Sequence, residues 1–111
     1  MPRSPMLNFS NPVTMYNLEE VAPVDFLRMV QSSCSSGRPM HPESLKAVVL
    51  KLTMVSRNMD IKQHDRDTAA GLATDLANAA LKANSGNREY CMGLRDGIQS
   101  ILNGTFRVAA S

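Results

Sequence analysis

Four side chains in this sequence are of the types from which a nucleophilic site is built: Cys34, Cys91, His41 and His64. A thiol becomes a catalyst when a histidine within hydrogen-bond reach holds it as the thiolate. Cys91 falls in the first turn of an expected helix, where the helix dipole lowers a thiol pKa. Its neighbours are Tyr90 and Met92, however, and no local motif surrounds it. A buried small hydrophobe is therefore the expectation for it. Asp60, His64, Asp65 and Asp67 could be drawn as a metal cluster, but Lys62 occupies the place where a calcium loop needs its second oxygen ligand. Two histidines and two cysteines, scattered singly, do not make a zinc spacing. A Gly-x-Ser-x-Gly elbow, a glycine-rich phosphate loop and a His-Glu-x-x-His motif are all missing from the sequence. These residues point to a protein that is not an enzyme and that takes no metal or cofactor.

Basic residues offer a second chemistry. Arg57, Lys62 and Arg66 gather with His64 at one junction, where phosphates could be held. Asp60, Asp65 and Asp67 interleave with them and bring the local formal charge to zero. Phosphate recognition needs an unopposed basic surface, and the whole chain carries only +2. A small helical nucleic-acid-binding protein is thus the alternative reading, not the first one.

The 111 residues suffice for one domain. Eight methionines stand against three Phe, two Tyr and no Trp, which disfavours an aromatic-rich β sandwich or barrel. The expectation is an all-α fold: a bundle of four helices over residues 23–111, preceded by a flexible arm over residues 1–22. Pro2, Pro5 and Pro12, with Ser4, Asn8, Ser10 and Asn11, break any helical period in the arm. Asn17 and Glu20 can cap one helical turn there, limited by Pro23.

Pro23 and Pro42 suit the first positions of the first two predicted helices, which end near Ser32 and Met59. Asp65 is the predicted N-cap of the third helix, which reaches Asn84. The fourth runs from Arg88 to Asn103, with Gly104 as a left-handed C-terminal residue. Alanines dominate the third helix, and Gly93, Gly97, Ser100 and Gly104 recur along the fourth. Small residues let backbones approach, so these two helices are expected to form a close antiparallel hairpin joined by Asn84–Asn87. Only VTMY and TFRVAA have any strand character, and both are short.

The second predicted helix carries the functional signal. Leu45, Val48, Val49, Leu52, Val55 and Met59 form one apolar stripe, and Ala47, Leu50 and Met54 form another on nearly the opposite side. Such a helix is either central and packed on both sides, or it keeps one face for a partner. Ala47, Leu50 and Met54, flanked by Lys46 and Lys51, are the candidate contact strip. Met92, on the polar side of its helix, is a further candidate contact, whereas Met29 and Met59 are expected as core filler.

The expected partner is therefore another protein or a second copy of this chain, bound without catalysis by an adaptor, accessory or effector-type module. Two cysteines are too few for a disulfide scaffold and suit a reducing cytoplasm. No run approaches the ~20 apolar residues of a membrane span. The N-terminus lacks the apolar core of a secretory signal. Rich in Ser, Asn and Pro and without acidic residues before Glu19, it resembles the N-termini of substrates of bacterial contact-dependent (type III) export. That resemblance implies export by a route independent of a signal peptide.

Overall fold

In the computed structural model, residues 8–81 and 89–106 are described, and all their regular structure is helical. A single turn, α1 (Met15–Leu18), precedes four longer helices: α2 (Pro23–Ser35), α3 (Pro42–Ser56), α4 (Gln63–Leu81) and α5 (Glu89–Asn103). α1 lies on α3, α3 on α4, α4 on α5, and α5 on α2. α2 and α3, although consecutive, make at most marginal contact. One continuous core runs through the assembly, from Phe9 and Leu18 through Phe26, Val48 and Leu52 to Ile98 and Ile101.

The N-terminal segment departs from the expected flexible arm. Phe9, Val13, Leu18 and Val21 are all buried, Phe9 and Leu18 completely. Prolines forbid a long helix but do not forbid burial, because an irregular chain still buries apolar side chains when its backbone groups find partners. Those partners are present. The His41 N–H donates to the Phe9 carbonyl at 2.8 Å, and the Val13 N–H donates to Ser44 Oγ at 3.0 Å. The Ser44 hydroxyl in turn donates to the Asn11 carbonyl. Asn17 Oδ1 accepts from the Thr14 N–H at 3.0 Å and closes the start of α1. Residues 1–7 of the expected arm lie outside the described residues, as does the Asn84–Asn87 connector.

Both proline starts fall where the sequence places them, at Pro23 and Pro42. The ends differ. α2 continues to Ser35, whose hydroxyl donates back to the Gln31 carbonyl at 3.1 Å, and Gly37 with φ 84° follows as the left-handed residue. α3 stops at Ser56, three residues before Met59, where Ser56 Oγ bonds the Thr53 carbonyl at 2.6 Å. Hydroxyls that bond neighbouring carbonyls compete with helix continuation and so shift such ends. At the start of α3, His41 Nδ1 accepts from the Glu43 N–H at 3.1 Å, so this histidine is a cap.

Asp65 is not the N-cap of its helix. It sits inside the first turn of α4, 2% exposed, and its carboxylate accepts from both the backbone N–H and the hydroxyl of Thr105. Thr105 Oγ1 also accepts from the Lys62 N–H at 3.1 Å. The start of α4 is thereby stapled to the residues that follow α5. This contact explains Gly104, which does not have the expected positive φ. A Cβ there would lie 2.5–3.0 Å from the Asp65 carboxylate. At Gly97 a Cβ would meet the Leu72 side chain at 2.6–2.9 Å, so α4 and α5 do approach closely there. Gly93 faces open space and takes no part.

Two substitutions separate these roles. Asp65→Ala should cost about 1–3 kcal/mol in a urea titration, since it removes the acceptor of both half-buried Thr105 donors. Gly71→Ala, at an exposed and sterically open position of α4, should instead stabilise by about 0.5–1 kcal/mol.

Candidate functional site

α3 distributes its side chains unequally around its axis. At 100° per residue the buried ones, from Ala47 through Lys51, Ser44, Val55, Val48 and Leu52 to Leu45, span an arc of about 160°. Lys46, Leu50 and Met54 fall outside that arc, beside its Ala47 edge, and are exposed, Leu50 to 54% and Met54 to 48%. Spacings of four residues put these three in one row along the helix. The Lys46 ammonium lies 3.5 Å from the Glu43 carboxylate, the one ion pair among the described residues. Both partners are largely solvent-exposed, and such a pair contributes little to stability.

The candidate strip is thus divided. Ala47 and Lys51 are 3% and 5% exposed and belong to the interior: α1 packs on α3, Ser44 on the same edge bonds Val13 and Asn11, and the Glu19 carboxylate lies near Lys51. Met92 is 73% exposed, but it lies on α5, which packs on α2 and α4, so the fold does not bring it into the α3 row. Met29 is buried as expected. Met59 is not filler: α3 ends before it, and in the connector it is 77% exposed, its sulfur accepting from an Arg66 guanidinium N–H at 3.2 Å. Tyr16, 84% exposed on α1 beside α3, was not singled out from the sequence. The signal that could have found it is the apolar series Phe9, Val13, Leu18 and Val21, which marks residues 8–22 as part of the fold.

The other candidate chemistries are placed as follows. Cys34 and Cys91 are both buried. His41 caps α3 and His64 is exposed in the first turn of α4. Among the described residues no three His, Cys, Asp or Glu side chains are grouped to hold a metal ion. At the basic junction, Arg57 and Lys62 are exposed, but Arg66 is engaged on three sides. Its Nε donates to the Ile61 carbonyl at 3.0 Å and its guanidinium also donates to Gln63 Oε1 at 3.0 Å and to Met59. That guanidinium braces the α3–α4 connector with three of its five N–H groups. A cavity of about 260 Å³ separates Asn8 and Phe9 from Met29, Ser32, Ser33, Ser36 and Arg38. No helix among the described residues is long and apolar enough to cross a membrane.

No family model, curated protein or solved structure matches this chain.

The surroundings of Lys51 disfavour its charge. Burial penalises its ammonium and lowers the pKa from 10.5, while the nearby Glu19 carboxylate partly opposes that shift. The unfolded chain then binds more protons than the native one between the lowered native pKa and 10.5. Stability due to Lys51 should accordingly rise with pH across that interval. In thermal melts over the alkaline range, Lys51→Met should show a flatter pH dependence than the parent protein.

Proposed function

We propose that this chain is a non-catalytic protein-interaction module that binds through the exposed row of α3. The observation that carries the reading is the pair Leu50 and Met54, each about half exposed, one turn apart on a helix whose other side chains beyond the first turn, Lys46 excepted, are buried or half-buried. Apolar side chains on a small domain contribute most when a partner removes them from water. An unbranched methionine also adapts to the shape it meets. Lys46 at one end of the row favours a partner with a carboxylate beside its own apolar contact. The partner is another protein, or a second copy of this chain meeting the same row across a twofold axis.

Nucleic-acid binding receives no comparable support, because Arg66 braces the connector and Asp60 and Asp67 remain exposed beside Lys62. A cysteine-based enzyme is equally hard to build when both thiols are enclosed.

The test is affinity capture from the native source with the parent chain, Leu50→Asp and Met59→Asp. Leu50→Asp should weaken capture of a specific band by at least about tenfold, with helicity by circular dichroism unchanged. Met59→Asp, altered off the row, should leave the band intact. The same pair in light scattering across a concentration series reads self-association. A band and a mass that ignore Leu50→Asp would remove the row from the account.

A further inference from the structure

We infer that residues 8–21 form a displaceable strap over the Ser44–Ala47–Lys51 edge of α3, and that opening it joins this edge to the exposed row of Lys46, Leu50 and Met54. The inference deepens the binding role proposed above by supplying its regulation, and it rests on that role only for its biological meaning.

Phe9, Val13, Leu18 and Val21 seat the strap in the core, but its polar supports are few. α1 packs on α3 and makes at most marginal contact with any other helix. Among the described residues, the hydrogen bonds between residues 8–21 and the remainder are those from His41 and Val13 and from the Ser44 hydroxyl, all at the first turn of α3 and the residue before it. The strap's other bonds are internal: Asn11 to Asn8, Asn17 to Thr14, and Val21 to Leu18. A segment whose turns are closed by its own hydrogen bonds can leave its site without losing them.

The surface beneath it suits exposure. Spaced at i, i+3 and i+7, Ser44, Ala47 and Lys51 form one stripe with no large apolar side chain. Among the described residues only three polar or charged side chains are buried, and two of them, Ser44 and Lys51, are in this stripe. A permanently sealed interface is ordinarily apolar, whereas this stripe holds a serine hydroxyl and the covered stem of a lysine. Leu45, Val48 and Leu52, by contrast, lie further round the axis from the stripe, within the buried arc. The stripe adjoins Leu50 and Met54 around the helix axis, so the opened and exposed surfaces are continuous. Phe9 and Leu18, fully enclosed, hold the closed state.

Two measurements on the full-length chain test this. In native-state hydrogen exchange, the Val13 and His41 amides should show protection factors at least tenfold below those of Ala73 and Leu76 in α4. In an Ala47→Cys variant, the introduced thiol should react with a disulfide reagent at least tenfold faster than Cys91, which is buried in α5. Equal protection factors, or an introduced thiol that reacts no faster than Cys91, would mean that the segment opens only with the whole protein and would overturn the strap. Failure of the α3 row in the capture experiment leaves both measurements untouched, so the two ideas fail separately.

Discussion

Covering α3 is the constraint on which this fold depends. Its buried side chains spread over about 160° of the helix surface, more than one neighbouring helix can cover. α4 takes one flank, and α2, the preceding helix, does not take the other. Residues 8–21 do, inserting Phe9, Val13, Leu18 and Val21 into the same core that the helices share. A small domain buries a modest fraction of its surface, so each fully enclosed side chain matters more than it would in a larger protein. The N-terminal segment is therefore a structural member of the bundle, and its contact with α3 defines which part of that helix remains in water.

A second constraint closes the opposite end. Asp65, buried in the first turn of α4, holds both donors of Thr105 just beyond α5. A buried carboxylate is tolerable only when such donors satisfy it. That requirement reaches into the sequence as Gly104, where any side chain would collide with the carboxylate. One acid thereby fixes the ends of two helices, and the Lys62 N–H adds the connector to the same knot.

Much of this was legible in the residues. The helical class and the starts at Pro23 and Pro42 follow from helical periodicity and proline chemistry, and periodicity places Leu50 and Met54 in a second row while leaving open whether that row is covered. Other features depend on contacts between distant residues. Ala47 and Lys51 fall beside the exposed row by periodicity, but only the arrival of residues 8–21 decides that they are covered. Asp65 looks like a cap because caps are local, whereas its partner is forty positions away. Met59 continues the apolar stripe on paper, yet Ser56 bonds back to Thr53 and the helix ends before reaching it. The prolines of the N-terminus correctly exclude a long helix and say nothing about docking.

The exposed row and the covered stripe together describe one helix with a boundary drawn along it by the chain's own N-terminus. Everything said about that boundary requires that residues 8–21 be seated on α3 in solution. The most direct measurement is a nuclear Overhauser spectrum of the intact protein, read between the Val13 amide proton and the Ser44 β-protons. The 3.0 Å contact from the Val13 nitrogen to Ser44 Oγ predicts a strong cross-peak, together with dispersed shifts for Phe9 and Leu18. No cross-peak, with random-coil shifts through residues 8–21, would contradict the account.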